Sequence, residues 1–176
     1  MGGSVLTDPI NFIQQAALFH ENSVELIPRQ PGEVTSYVIA LNDPDEALVE
    51  SFDASGRLTY LLYSKGQETP LDFGPTVTNP LVTGMNNLEI ISGIEGSNPG
   101  TSRGSRFDPR TREATLLNPL PTEPDATAWG INDRGDVLGY SFVPDAIERI
   151  GVWDRDAVFN TYFVEGTRNF RPSAII

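Results

Sequence analysis

A short phrase recurs three times along this chain at a nearly constant spacing. Each copy opens on an Asn that follows an aliphatic residue, and these Asn residues lie 44 and then 46 positions apart. They are Asn42, Asn86 and Asn132. An aromatic residue stands 21 positions after each of them: Tyr63, Phe107 and Trp153. A period of about 45 residues is typical of propellers, solenoids and other arrays, so the sequence predicts an internal repeat.

Each repeat divides into four short stretches of strand-forming residues separated by turn residues. In the first unit they are 36–41, 47–51, 57–63 and 69–73. In the second they are 81–85, 90–94, 102–107 and 114–117, and in the third 126–131, 136–142, 148–153 and 158–164. The chain has 16 Gly and 14 Pro, which suits many short strands and turns. We therefore predict an all-β fold of about three four-stranded antiparallel units, propeller-like or stacked.

The turn between the first two strands of a unit is clearest in the third copy. The side chain of Asn132 can accept a hydrogen bond from the backbone two residues on, and Gly135 adopts a positive φ without strain. This combination predicts a type I turn followed by a bulge. Asp45 and Glu89 stand where the third copy has Gly135.

The ends of the chain do not complete a unit. We expect residues 1–21 to form an N-terminal segment with a short helix over 8–20, in which Asp8 is the N-cap and Pro9 the first helical residue. A β-repeat domain is expected to follow. It spans 22–176, with units near 36–80, 81–125 and 126–170, a leftover fourth strand at 24–27 and the start of another unit at 173–176.

The third copy reads Ile-Asn-Asp-Arg-Gly-Asp-Val-Leu-Gly-Tyr-Ser, followed by Val-Trp-Asp. This sequence resembles the HAF repeat family of usually exported bacterial proteins. The resemblance covers residues 24–176, although the other copies depart from it. Asp45 and Val49 replace the two Gly in the first copy, whereas the second copy has Glu89 and then the matching Gly93. The resemblance implies a β-propeller-like fold and an extracellular or cell-envelope location. It brings no enzymatic activity to any residue.

The charge of the chain restricts its partners. There are 24 acidic and 12 basic residues, giving a formal net charge of −12 with no basic block. Such a chain repels phosphate backbones, so nucleic-acid binding is not expected. No apolar run is long enough to insert into a membrane, and we recognise no signal peptide in these residues. Cys is absent, which excludes disulfides and thiolate ligands.

One segment matches a catalytic pattern. Residues 100–104 read Gly-Thr-Ser-Arg-Gly, the Gly-x-Ser-x-Gly form of a nucleophile elbow with Ser102 at its centre. That motif requires a sharp strand-to-helix turn and a His base. The single His of the chain is His20, and the segment around Ser102 is predicted as a loop entering a strand. The pattern therefore does not predict a hydrolase.

The acidic turns at 42–46 and 132–136 carry oxygen ligands of the kind that Ca²⁺ prefers. Turns favour Asp and Asn for backbone reasons alone, and the second copy reads Asn-Asn-Leu-Glu, so we expect turn chemistry here. The adhesion-like tripeptide Arg134, Gly135 and Asp136 lies in the same turn and is explained by the hairpin. The repeated aromatics, Tyr63, Phe107 and Trp153, are either core residues or a sugar-binding platform, and their identical positions favour the core. Accordingly no catalytic, cofactor-binding or metal-binding residue is assigned, and no cofactor is expected.

These observations favour a non-catalytic binding or structural module of an extracellular or cell-envelope assembly. The alternatives are a structural subunit of a larger particle and a carbohydrate-active enzyme, although none of the 24 acids is singled out as a catalytic pair. Three units are too few for a closed propeller of four to eight blades. Exposed strand edges should then pair with a protein partner or with another copy of the chain, while carbohydrate remains a candidate ligand.

Overall fold

The computed structural model describes residues 1–8, 13–75, 77, 80–96, 101–142 and 149–161. Within these ranges the chain forms fifteen strands in four antiparallel sheets and no helix. The predicted all-β class is thus confirmed, and each sheet is open, with two edge strands. Nowhere in the described part does a helix reach the length and hydrophobicity needed to cross a bilayer. The chain separates into two compact units, Met1–Leu71 and Asp72–Ile176. The boundary expected at residue 21 stays a prediction.

The first unit contains two sheets. The first sheet has three strands in the order β1-β2-β3, namely β1 (Gly2–Asp8), β2 (Ile13–Phe19) and β3 (Val24–Leu26). The second sheet has four strands in chain order, namely β4 (Glu33–Leu41), β5 (Ala47–Asp53), β6 (Leu58–Ser64) and β7 (Gln67–Pro70). The strand expected near 24–27 corresponds to β3, and the four expected in the first repeat correspond to β4–β7.

The helix expected over residues 8–20 is wrong. Asp8 closes β1 instead of capping a helix, and Ile13–Phe19 is a strand paired with β1 on one side and β3 on the other. Residues 9–12, which include the Pro and Phe of the expected helix start, lie outside the described residues. Ala16 and Ala17 are both fully buried, so the segment is covered on opposite faces of a strand. Pairing on both sides outweighs the modest helix propensity of so short a segment.

The core of the first unit lies between its two sheets. Ala16 and Leu18 of β2 pack against Val49, Leu61 and Tyr63 of the second sheet. Alternation explains this selection, because residues two apart on a strand share a face. The neighbouring residues of β2 therefore belong to the opposite face of the first sheet.

The second unit contains two four-stranded sheets. The third sheet, in the order β11-β10-β9-β8, comprises β8 (Pro80–Met85), β9 (Ile91–Glu95), β10 (Arg103–Asp108) and β11 (Glu113–Leu117). The fourth sheet runs in chain order and comprises β12 (Asp125–Ile131), β13 (Val137–Phe142), β14 (Arg149–Trp153) and β15 (Phe159–Thr161). Their core includes Leu117, Ala128, Val137 and Trp153. The strand start expected at 173–176 lies outside the described residues.

The predicted turn geometry is present at each of the three Asn residues. The Oδ1 atom of Asn132 accepts hydrogen bonds from the backbone N–H groups of Arg134 (3.1 Å) and Asp136 (3.0 Å). Gly135 has a φ of 85°, while Asp45 and Glu89, at the matching positions, have φ of 63° and 61°. The prediction of a type I turn with a bulge is confirmed, and two of the copies form it without Gly at some backbone strain.

The repeated aromatic residues are core residues. Tyr63, Phe107 and Trp153 lie on the third strands of their four-stranded sheets and are only 4%, 2% and 0% exposed. Trp153 stacks obliquely on Phe159, with ring centroids 4.4 Å apart, and its indole Nε1 donates a hydrogen bond to the Asn118 carbonyl at 2.8 Å. The buried positions do not provide a platform for a sugar.

Candidate functional site

Turns of the third and fourth sheets bind each other directly. The amide Nδ2 of Asn86 donates to the backbone carbonyl of Asn132 at 2.8 Å, between residues that are both almost fully buried. Beside this bond, the backbone N–H and side-chain Nδ2 of Asn87 donate to the two carboxylate oxygens of Asp133 at 2.9 and 3.0 Å. Since Asn86 Oδ1 also accepts from Leu88 and Ile90, one side chain both shapes its own turn and holds the neighbouring sheet.

Arg106 holds the same two sheets together at a second place. Its Nη1 donates to the carbonyl of Gly135 at 2.9 Å and its Nη2 to the carbonyl of Arg155 at 2.8 Å. Burial, assisted by the nearby charge of Arg155, lowers the pKa of the Arg106 guanidinium from its ordinary value. A guanidinium remains charged even after such a shift, so this contact serves packing and not proton transfer.

The Gly-x-Ser-x-Gly segment leads into β10 and is held by hydrogen bonds to the start of β12. Ser102 precedes β10, and its N–H donates to the fully buried carboxylate of Asp125 at 2.9 Å. Arg103 donates to the Ser102 and Pro124 carbonyls. Gly100, the first residue of the pattern, lies outside the described residues. A segment that enters a strand in this way is not the strand-to-helix turn that a nucleophile elbow requires.

His20 lies directly after β2 and forms a polar cluster in the first unit. Its Nε2 is 3.2 Å from Glu25 Oε2, while the Tyr63 hydroxyl donates to Glu25 Oε1 at 2.5 Å. The hydrogen bond from Tyr63, followed by that from His20, lowers the pKa of the Glu25 carboxyl. The same bond to Glu25, with burial, raises the pKa of Tyr63 to about 12. A neutral phenol donating to an ionised carboxylate stabilises the packing of β6 on β3.

The acidic turns use their oxygens in hydrogen bonds within the turn or, at 132–136, also to the neighbouring sheet. Asn42 accepts from the Glu46 N–H at 2.8 Å and donates to the Glu46 carboxylate at 2.7 Å. Asp136 receives hydrogen bonds from Asn132 and from Arg134, so the residues of the adhesion-like tripeptide bind each other. In the part of the chain that the structure describes, no group of three or more His, Asp or Glu residues is arranged to hold a metal ion.

The fourth sheet carries a row of half-buried apolar side chains on the side opposite Trp153. In β13 they alternate with buried Val137, Gly139 and Ser141. We call this surface the last-sheet face, and its residues are Trp129, Leu138, Tyr140, Phe142, Ile150 and Val152. Tyr140 is the centre of the row, because its ring lies 6.1 Å from Trp129 and 5.4 Å from Phe142. The alternation in Val-Leu-Gly-Tyr-Ser-Phe was a sequence signal for this face that the turn motifs obscured.

The first sheet has a partly exposed surface opposite Ala16 and Leu18, in which Ala17 is fully buried and Val5 and Phe19 are half-buried. We call it the first-sheet face, and its residues are Val5, Ala17, Phe19, Val24 and Leu26. The register places Ala17 opposite Leu26 and Phe19 opposite Val24, so these side chains form one continuous patch. Val24 is 52% exposed and Leu26 46% exposed. This surface was missed in the sequence because residues 8–20 were expected to be helical.

The sheets are similar to parts of two solved β-propeller proteins. The crystal structure of TolB from Acinetobacter baumannii matches with a TM-score of 0.59 at 16% identity, over 94% of this chain and 42% of that chain. The structure of a Mycobacterium tuberculosis puromycin-hydrolyzing peptidase matches with a TM-score of 0.56 at 13% identity, over 85% of this chain and 24% of that chain. This chain thus spans less than half the length of either protein, and the likeness concerns the fold alone. No protein-family model matches the sequence, and no curated protein matches it.

Proposed function

We propose that this chain is a non-catalytic binding or structural module of an extracellular or cell-envelope assembly, with propeller-like repeats of the HAF type. The observation that carries the proposal is the open edge of the first sheet. Among the described strands, β1 pairs with β2 alone, and its residues Gly2–Thr7 include no charge and no Pro. Natural proteins usually protect such an edge with charges, Pro or a covering segment, so an unprotected edge suits pairing with a partner strand.

The polar side chains support the same proposal. The groups that resembled chemical sites in the sequence are engaged in turns or between sheets, as Ser102, Glu46 and Asp136 illustrate. The similarity to TolB and to the peptidase concerns a fold that many unrelated functions share. Puromycin hydrolysis belongs to the name of one of those proteins and brings no role to a residue of this chain.

A second candidate function is that of a structural subunit in a larger particle. The half-exposed side chains of Val24 and Leu26 favour it, because apolar patches rimmed by polar residues commonly mark protein interfaces. A carbohydrate-active enzyme is the weaker alternative. The row around Tyr140 has the aromatic character of a sugar-binding surface, but β13 and β14 contribute no carboxylate to it.

The proposal is tested by locating the native chain. Cells that produce it are separated into cytosolic, envelope and medium fractions, and each fraction is probed with an antibody after native separation. We expect the chain in the envelope or medium fraction, in complexes heavier than its own 19.2 kDa. Recovery as a cytosolic species of monomer mass would overturn the proposal, with a cytosolic marker enzyme checking the fractionation.

The role of the β1 edge is tested by one pair of variants. Leu6→Lys introduces a charge on β1 at a residue that is 47% exposed, and it should release the chain from its complexes. Leu88→Lys makes the same change in a turn at a residue that is 53% exposed, and it should leave the complexes intact. Equal behaviour of the two variants would show that β1 is not the binding edge.

A further inference from the structure

We infer that the last-sheet face of one copy of this chain docks on the first-sheet face of a second copy, so that the chains associate head to tail. The inference rests on the proposed role in an assembly and names the partner as another copy of the chain. It concerns two sheet faces, whereas the proposed function concerns the β1 edge.

Both units show how sheets of this chain pack. In the first unit, the face of the second sheet that bears Tyr63 receives Ala16 and Leu18 of the preceding sheet. In the second unit, the face of the fourth sheet that bears Trp153 receives Leu117 of the preceding sheet. The face with the third-strand aromatic residue is therefore the receiving face in each case, and the opposite face of a sheet is the docking face.

The first-sheet face is a receiving face by the same criterion. Phe19 stands 44 positions before Tyr63, near the end of β2 as Tyr63 is near the end of β6. The last-sheet face is a docking face, because Ile150 and Val152 alternate with buried Gly151 and Trp153. Contact between these two faces of different copies would repeat the packing already present inside each unit.

The charge distribution favours this pairing over exposure to water. Strands β2 and β3 contribute no charged residue to the first-sheet face, and strands β13 and β14 contribute none to the last-sheet face. The register places one acidic residue at the end of each face, Asp8 of β1 opposite Ile13 and Asp125 of β12 opposite Phe142. The chain as a whole carries a net charge of −12, so two copies repel each other at long range. Salt screens that repulsion while leaving apolar contact intact, and association should strengthen as salt is raised.

The size of the faces sets the concentration at which association appears. Three strands of at most seven residues cover no more than roughly 14 by 23 Å, from the usual strand spacing and rise. Such a contact is smaller than the roughly 800 Å² per partner of a standard stable interface, so it should form at micromolar concentrations and above. Because the two faces differ, each docked copy still offers a free face, and growth continues beyond the dimer unless a ring closes.

The test measures the mass of the purified full chain by sedimentation velocity from about 1 to 200 μM, in low and high salt. The unaltered chain should exceed twice its 19.2 kDa at the upper end, and more so in high salt. Leu26→Lys damages one face and Val152→Lys the other, so each variant alone should remain a monomer. An equimolar mixture of the two should form a dimer and nothing larger, because one intact face remains on each partner.

Other outcomes overturn the inference. A monomer at every concentration and salt would mean that the two faces do not bind each other. Loss of association in Leu26→Lys but not in Val152→Lys would mean a symmetric contact of the first-sheet face with itself. Leu88→Lys is the control and should associate like the unaltered chain. Circular dichroism checks that each variant is folded. If Val152→Lys does not fold, Ile150→Lys replaces it. If the purified chain is a monomer but the chain still occurs in envelope complexes in cells, this contact is rejected and the proposed function stands.

Discussion

The bond between Asn86 and the Asn132 carbonyl can be removed without altering the turn that Asn86 forms. In Asn86→Asp, a carboxylate oxygen still accepts from the N–H groups of Leu88 and Ile90, as the carboxylate of Asp154 does in its own turn. The donor facing Asn132 is lost, and a negative oxygen then lies near a carbonyl oxygen at a site that is 4% exposed. The substitution thus isolates the contact between the sheets.

The expected loss of stability in Asn86→Asp has three contributions. Losing the hydrogen bond costs about 1 kcal/mol, and burying a charge against a carbonyl costs roughly a further 2–3 kcal/mol. Stronger bonds from the turn N–H groups to an anion return up to about 1 kcal/mol. The Asn132 carbonyl keeps a partner, since it also accepts from the N–H of Gly135 at 2.9 Å. We expect Asn86→Asp to lower the free energy of unfolding by about 2–4 kcal/mol at neutral pH.

The pH dependence identifies the cause of this loss. Burial beside the Asn132 carbonyl, which outweighs the two N–H donors of the turn, raises the pKa of the new carboxyl in the folded state above its unfolded value of about 3.9. The folded variant then binds more protons than the unfolded one between the two pKa values, so its stability falls as pH rises through the folded pKa. The deficit should shrink as the pH is lowered toward 5, where a protonated carboxyl can donate to Asn132.

Urea denaturation followed by circular dichroism at pH 7 and pH 5 measures both effects. Asn87→Asp is the matched control, because it makes the same change at a half-buried position beside Asp133 and should cost less than about 1 kcal/mol. The reasoning is refuted if the two variants lose the same free energy, or if the loss in Asn86→Asp is independent of pH.

Single substitutions test the turns, the core and the Tyr63–Glu25 hydrogen bond. Because Gly135 and Asp45 both have positive φ, Gly135→Val should lower the free energy of unfolding by more than about 1 kcal/mol, while Asp45→Gly should leave it unchanged or raise it. Urea denaturation measures both effects. An unchanged stability in Gly135→Val would contradict the assigned turn. Trp153→Ala should lower the free energy of unfolding by about 3–5 kcal/mol in the same measurement. A loss below about 1 kcal/mol would mean that Trp153 is not a core residue. Tyr63→Phe should raise the pKa of the Glu25 carboxyl, because the carboxylate loses the hydrogen bond from the Tyr63 hydroxyl. Carbon NMR of the Glu25 side chain measures this pKa, and an unchanged value would refute the bond.

Local chemistry explains which parts of the fold could be predicted. Asn132 and Gly135 determine their turn within four residues, so the turn is readable from the sequence and the structure confirms it. The strand ranges could be predicted for the same reason, because turn residues mark the ends of the strands. The segment Ile13–Phe19 failed as a prediction because its strand partners, β1 and β3, decide its conformation, and the sequence gives no local mark of that pairing.

The contacts between sheets could not be predicted for a related reason. Asn86 has the same local sequence role as Asn42, yet Asn42 donates to Glu46 in its own turn whereas Asn86 donates to the next sheet. Arg106 likewise occupies a position at which the other four-stranded units have Leu62 and Val152, and only the structure shows the carbonyls it reaches. Such partners lie 29 to 49 positions away along the chain.

The composition of β13 bears directly on whether the last-sheet face is built for water or for a partner. A sheet face exposed to solvent normally alternates polar outward residues with apolar inward ones. At the matching position of β5 the chain has Glu50, whose pKa is raised by burial, but in β13 it has Tyr140, flanked on the same face by Leu138 and Phe142. A carboxylate would be the ordinary choice for a solvated sheet face in so acidic a chain. Three consecutive outward positions of β13 instead carry large apolar side chains, which is the arrangement that contact with another sheet requires.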